Sequence, residues 1–430
     1  MRYLPVSNKL YKRNRQKLIK KIEKNSLVVV NSNDQMPRSG DQYFPFRQNS
    51  NLFYLTGINQ EKTALILCPD HDSKDLREIL FIRKSDSKLE IWEGKKLTKD
   101  ESKEISGINT VKWLDEYDSV LSGLMVKTDN IYINLPENPK FNPEVVVREL
   151  RFANELKNKY PAHCHKRLAP VLNELRLIKE PEEIDLMKKA CYITKEAFNR
   201  VLGFVKPGVM EYEIEAEITH EFLKRGSDGH AFQPIVASGK NACILHYIKN
   251  NQKCKNGDLV LLDFGAEYAN YAADCSRTIP VNGRFSTRQR EFYEATLRVF
   301  KFAKSIIKKG ITINKLHKKV SECWEEEHIK LGLYTRKEVR NQDKNVPLWA
   351  KYYMHGTSHF LGLDAHDTGN KDVVLRAGMV LTCEPGIYIQ EEKIGIRLEN
   401  DILITDTGNT DLTGDIPIEP DEIESIMNSK

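Results

Sequence analysis

Four carboxylates stand in stretches that otherwise read as buried strands, and any fold of this chain must accommodate them. Asp263 ends the apolar run Leu259-Val260-Leu261-Leu262. Asp274 follows in Tyr271-Ala272-Ala273-Asp274-Cys275-Ser276-Arg277. With Gly265 starting the intervening turn, these two segments are expected to pair as a hairpin and bring both acids close. Glu384 lies in Val380-Leu381-Thr382-Cys383-Glu384-Pro385-Gly386, where period-two alternation puts Val380, Thr382 and Glu384 on one face. Arg397, Glu399 and Asp401 share a face of the strand-like run from Ile396 to Ile402. Between these lies Met354 to Asp367, a Gly-rich segment holding His355, His359 and His366, read as loop and strand.

Each feature has an ordinary reading when taken singly. Asp263 could be a strand-end acid bonded to a turn, and Asp274 could pair with Arg277. The histidines could sit in a polar surface loop, Glu384 could orient a turn, and the last set could be a solvated face. Four ionised carboxylates gathered in one cavity would repel one another and raise their pKa values. Two divalent cations would offset that charge and justify the cluster. Many oxygens with one imidazole form a hard donor set, which favours manganese or a similar ion over a thiolate-bound metal. Two such ions about 3.5–4 Å apart can share a water and make it acidic enough to serve as hydroxide at neutral pH.

The rest of the chain sets the frame. Apolar residues make up 40% and charged residues 30%, which excludes a mostly disordered or collagen-like chain. A net charge of +5 over 430 residues does not call for nucleic acid or an anionic membrane as partner. No apolar run approaches the roughly 20 residues that span a bilayer, and Leu27–Val30 is too short for a signal-peptide core of about 7–15 residues. A cytoplasmic location is therefore expected, and the eight cysteines, which include no C-x-x-C pair, are expected to be reduced, mostly buried thiols. The basic N-terminal stretch reads as a surface helix with Leu10, Leu18 and Ile22 inward. Strands are expected at Leu27–Val30, Thr63–Cys68, Glu78–Ile82 and Asn130–Leu135, with Pro69–Lys74 and Lys95–Gly107 as polar connections. Pro181, Glu182 and Glu183 suit the first turn of a long helix. Ser286 with Gln289 forms a capping box before a second helix ended by Gly310, and a third runs from Ile313 to Leu331. Strand patterns cover Leu259–Phe264, Tyr271–Pro280, Met379–Ile389 and Gly395–Thr405. These readings give an α/β chain whose texture changes near residue 172.

At these residues the sequence resembles the pita-bread metallopeptidases and, within them, the aminopeptidase P (Xaa-Pro aminopeptidase) family. The likeness rests on Ile244-Leu245-His246-Tyr247, Leu261 to Gly265, Asp274 to Gly283, the His355/His359/His366 segment, Glu384-Pro385-Gly386 and Gly395 to Asp401. It extends more loosely to Tyr43–Ser50 and to Glu90-Ile91-Trp92-Glu93-Gly94. It implies an α+β protein with an N-terminal domain over 1–172 and a C-terminal pita-bread domain over 173–430, whose curved, mostly antiparallel sheet is backed by helices. It implies hydrolysis of the N-terminal Xaa-Pro bond by a hydroxide bridging two divalent ions, manganese before cobalt or zinc. Asp274 and Glu399 would bridge both ions, Asp263 would complete one site, and His359 with Glu384 the other. Glu384 would also shuttle the proton. His246, His355 and His366 would orient substrate and stabilise the oxyanion, with Arg397 bracing the ligands. Phe232 would line the pocket, its alternative being core packing. Trp92 would reach the site from its own or a neighbouring subunit, its alternative being a core anchor. Short peptides with proline second, no nucleic acid, no membrane and a homo-oligomer are implied, the N-terminal domain restricting access and carrying the oligomer contact.

Phe264, where a small residue is expected, and Cys275 after Asp274 depart from the family pattern without removing a ligand. The competing readings are a prolidase that cuts only Xaa-Pro dipeptides and a non-catalytic peptide-binding scaffold of the same fold, which the full ligand set argues against.

Overall fold

A computed structural model of the protein describes residues 2–138 and 144–429. It divides into two compact units, Leu4–Arg176 and Leu177–Lys430 together with Met1–Tyr3. Among the described residues no helix is long and apolar enough to cross a membrane. All eight cysteines are free and six are buried.

The first unit is built on a six-stranded mixed sheet in the order Thr110–Trp113, Glu78–Ile82, Ala64–Leu67, Ser26–Asn31, Asn130–Ile133, Cys164–Arg167. Alternate strand residues reach one face, as the two-residue pleat requires. There Leu27, Val29, Ile66, Ile79, Phe81 and Ile131 pack with Leu121 and Leu124 of helix Tyr117–Met125 and with Phe152 and Leu156 of helix Arg148–Lys159. The central strand Ser26–Asn31 is buried along its whole length, as its uninterrupted apolar run anticipates.

Three expectations in this unit need correction. The stretch read as a polar connection, Lys95–Gly107, contains the helix Lys99–Ser106. Its signal is the reciprocal capping box between Thr98 and Glu101, with Gly107 closing the helix at φ 68°. The N-terminal helix spans Asn8–Ile19 with Leu10 and Leu18 fully buried, so Ile22 lies beyond its end and is only half-buried. Trp92, in helix Ser87–Glu93, is 86% exposed and anchors no core.

Every strand pairing of the second unit is antiparallel among the described residues, and long helices pack on the strands. Helix Pro181–Phe204 has Pro181 in its first turn, and Thr287–Ile306 starts at the Ser286/Gln289 capping box. The latter ends at Ile306, short of the expected stop at Gly310. The strands carry the more informative difference. Three stretches read as continuous are each broken: Tyr271–Ala272 from Cys275–Pro280, Val380–Cys383 from Gly386–Ile389, and Ile394–Arg397 from Asn400–Ile404. The breaks contain Asp274, Glu384 and Glu399. At the second, Pro385 has no N–H to give to a ladder.

Leu259–Phe264 pairs with Cys275–Pro280 as expected, with Asp263 opposite Ser276. The turn, however, is not at Gly265. Ala266–Tyr268 and Tyr271–Ala272 form their own hairpin through Ala269 and Asn270, both at positive φ (50° and 62°). Gly265 serves close approach instead, because a Cβ there would lie 1.8 Å from Ala273 O. Gly265→Ala is therefore expected to destabilise by about 1–3 kcal/mol in urea unfolding. The control Gly203→Ala, in helix Pro181–Phe204 with nothing within 4 Å, is expected to be neutral or stabilising by up to about 1 kcal/mol.

Candidate metal centre

The broken strands deliver their acids to one place. The segment carrying His359 runs beside Val380–Cys383, with Thr382 N donating to His359 O at 2.9 Å and Glu384 N to Thr357 O at 2.9 Å. His359 is thereby set beside Glu384. His359 Nδ1 donates to Phe360 O at 3.0 Å, which leaves Nε2 facing the acids. That nitrogen lies 3.5 Å from Asp274 Oδ2 and 3.8 Å from Glu384 Oε1. Asp274, His359 and Glu399 each offer one ligand atom within 4.8 Å of the others.

Buried neighbours hold these groups from behind. Arg277 spends its donors on Pro417 O, Ser276 O, Glu399 O, Asn400 Oδ1 and Ile416 O, all at 2.8–3.1 Å. It braces the Glu399 backbone, and the pairing of Asp274 with Arg277 offered by the sequence is not formed. Glu399 N donates to Ser276 O at 3.1 Å, and Ser276 Oγ donates to Glu399 Oε2 at 2.6 Å. Asp274 N donates to Asp401 Oδ2 at 3.1 Å, so Asp401, buried and next to Cys191, fixes the backbone at the first break. The ordinary alternative of a solvated face at Arg397, Glu399 and Asp401 does not hold, because all three are buried.

Asp263 is gripped from one side only. Arg397 Nη2 meets its Oδ2 at 2.6 Å, while Oδ1 is buried without a hydrogen-bond partner. Burial and the neighbouring acids Asp263, Asp401 and Glu384 hold the Asp274 carboxyl well above the usual range. Burial, Asp274, Glu384 and Asp263 do the same for Glu399. Burial also raises Glu384, with His359 and Arg397 pulling the other way. Oxygen and nitrogen atoms 3.5–4.8 Å apart are too distant to bond one another. They are well spaced to share cations at about 2.0–2.2 Å from each donor. The orphaned Asp263 oxygen, the mutually repelling acids and the aimed imidazole nitrogen together fit divalent metal ions.

The remaining candidates surround this cluster unequally. His355 is pushed down to about 3 by burial and by Arg397, so its ring is neutral. Its Nδ1 donates to Gly356 O at 2.8 Å and Nε2 accepts from Tyr388 OH at 2.9 Å. Tyr388 OH accepts in turn from Arg397 Nη1 at 3.0 Å. His366 is exposed and meets the His359 ring at 4.4 Å, edge to face. His246 is exposed, three residues past the short 3-10 helix Gly239–Cys243, and is felt electrostatically by His355. Phe232 is half-buried. Trp92 belongs to the other unit and projects into solvent there. Sequence reading passed over Tyr388 and Asp401 as working parts. Tyr388 lies on Gly386–Ile389, beyond the break that contains Glu384, and no sequence pattern pointed to it.

Comparison with known proteins is consistent along the whole chain. A model described as metallopeptidase family M24 matches residues 185–406, and one described as aminopeptidase P, N-terminal domain, matches residues 11–132. The Xaa-Pro aminopeptidase of Escherichia coli (strain K12) is 36% identical over 438 residues, covering 98% of this chain and 98% of that protein. Xaa-Pro aminopeptidase 3 of Homo sapiens is 31% identical over 93% of this chain and 80% of its own. The solved structure of aminopeptidase P from Escherichia coli with the inhibitor Pro-Leu superposes with a TM-score of 0.89 at 34% identity, covering 99% of both chains.

The raised carboxyl pKa values fix a sign. An acid whose folded pKa is raised stabilises the fold below its unfolded pKa, and that contribution is lost as pH rises through the folded pKa. Stripped of metal, the protein loses stability toward neutral pH as Asp274, Glu384 and Glu399 ionise against one another. Metal binding displaces those protons and relieves the repulsion. The gain in Tm on adding manganese to chelated protein is thus expected to grow as pH rises from the acid range through neutrality. A gain that stays flat or shrinks over that window would contradict the arrangement.

Proposed function

This chain belongs to metallopeptidase family M24 and is a metallo-aminopeptidase that cleaves N-terminal Xaa-Pro bonds, and on that premise we propose how its own residues divide the work. The observation that carries the reading is the convergence of Asp274, His359 and Glu399, with Glu384 and the half-satisfied Asp263 beside them. Asp274 and Glu399 would hold both cations, Asp263 would complete one site, and His359 with Glu384 would complete the other. When bound, the cations supply an acidic water and a Lewis acid for the scissile carbonyl.

Glu384, set beside His359 in the cluster, takes the proton of the attacking water and passes it to the leaving proline nitrogen. His246 and His366, both exposed, give hydrogen bonds to the substrate and to the oxygen that becomes negative. His355 contributes a fixed edge of the cavity, held by the Arg397–Tyr388 chain. An Xaa-Pro bond is a tertiary amide with no N–H, so recognition falls on the free amino terminus and on an apolar slot for the ring. Phe232 is assigned to that slot. Trp92, large, apolar and exposed, is assigned to the substrate or to a neighbouring subunit of a homo-oligomer.

Manganese is the favoured metal, because four oxygen ligands and one nitrogen form a hard set without sulfur. Eight free cysteines suit a reducing, cytoplasmic setting.

Glu384→Ala and Glu384→Gln are each expected to lower kcat on an Xaa-Pro-Yaa tripeptide by at least on the order of a thousandfold. An active, metal-replete variant would remove Glu384 from its role. The tripeptide should also be cut in preference to the Xaa-Pro dipeptide, and strong preference for the dipeptide would make the protein a dipeptidase instead.

A further inference from the structure

The loop carrying His366 is anchored from behind by a buried ion pair that none of the chemistry above uses. Lys179 Nζ lies 3.1 Å from Asp367 Oδ2, and each side chain is only 1% exposed. Asp367 Oδ1 accepts from Thr368 N at 2.8 Å, and Asp367 N donates to Phe360 O at 2.9 Å, which closes the loop next to His359. Gly362 makes room for the pair. A Cβ there would fall 2.2 Å from Asp367 Oδ2 and 2.9 Å from Lys179 Cε. Gly362 O accepts from Ala272 N at 2.8 Å, two residues before Asp274. Lys179 N donates to Gly378 O at 2.9 Å, just ahead of Val380–Cys383. The ammonium thus holds the Asp367 loop, while the Lys179 backbone ties to Gly378 and the loop's Gly362 ties to Ala272, so the pair sits where three segments leading to the metal centre meet. Glu183 stands near the pair, but its oxygens accept from Tyr271 OH and Glu180 N, both at 2.8 Å.

Buried ion pairs are weak sources of stability, and apolar replacements are often as stable or more so. What such a pair does provide is a fixed geometry. An exposed ring on an irregular loop keeps its stance only if the loop beneath it is locked. The rings of His366 and His359 meet at 4.4 Å and 70°, and Asp367 is the next residue along the chain from His366.

We propose that Lys179, acting through Asp367, is a positioning residue that sets His366 against His359 and thereby orients the bound peptide. The inference rests on the substrate-orienting role assigned above to His366. Lys179 touches no substrate, and its effect passes through one imidazole.

The test is a set of mutant cycles on the manganese-loaded enzyme, read as kcat and KM on an Xaa-Pro-Yaa tripeptide with metal content measured in parallel. Lys179→Met is expected to lower kcat/KM by about ten- to a hundredfold with metal content unchanged, and Lys179→Arg to recover most of the loss. In a His366→Ala background Lys179→Met should add less than about twofold, whereas in a His246→Ala background its effect should multiply in full. If Lys179→Met does not fold, Asp367→Asn, close to isosteric, carries the same comparison and must show the same pattern. A full multiplicative loss in the His366→Ala background, or no loss in either variant, would overturn the positioning role alone. A His366→Ala enzyme with unchanged kcat/KM would overturn that role together with the function assigned to His366.

Discussion

Like-charge repulsion inside a closed space is the constraint around which the C-terminal unit is built. Asp263, Asp274, Glu384 and Glu399 are drawn into one cluster where burial and mutual repulsion raise the carboxyls of the last three. A single buried guanidinium, Arg397, reaches one of the four at hydrogen-bond distance. One cation against four acids leaves the site short of positive charge, and the unpartnered Asp263 oxygen marks where some of it is missing. Divalent ions resolve both problems together, so the electrostatic difficulty of the site is also the specification of its cofactor.

The scaffold follows from that need. Asp274, Glu384 and Glu399 sit where strands stop. Interrupting the ladder frees a residue from the strict alternation that would send every second side chain to the opposite face. Each interruption must then be satisfied elsewhere, since buried backbone groups are costly to leave unbonded. Asp401 accepts the Asp274 amide, Arg277 takes the Glu399 carbonyl, and Thr357 O takes the Glu384 amide. None of these three supporting groups needs to touch a substrate. They convert sequence-distant residues into a rigid set of donors, which is what tight geometric catalysis requires.

Much of this was legible in sequence, and the limits are physical. Asp263, Asp274, Glu384 and Glu399 stood out because acids rarely interrupt apolar runs, and the Leu259–Phe264 and Glu78–Ile82 strands follow their patterns to the residue. The Ser286 capping box and Pro181 located helix starts because those signals are local. The strand breaks were missed because period-two alternation runs on through Val380, Thr382 and Glu384 whether or not the ladder does. Helix Lys99–Ser106 was missed because its polar surface hid the cap at Thr98 and Glu101. Asp401 and Tyr388 act through hydrogen bonds to residues far away in sequence, and periodicity holds no record of such pairs. Likewise, Arg277 looked like a partner for Asp274 only because it was near in sequence.

Anomalous X-ray diffraction from manganese-loaded crystals, collected at the manganese edge, tests the central claim most directly. Two peaks about 3.5–4 Å apart are expected, with Asp274 and Glu399 shared between them, Asp263 on one, and His359 with Glu384 on the other. A single peak, or peaks that leave Asp263 or Glu384 uncoordinated, would contradict it.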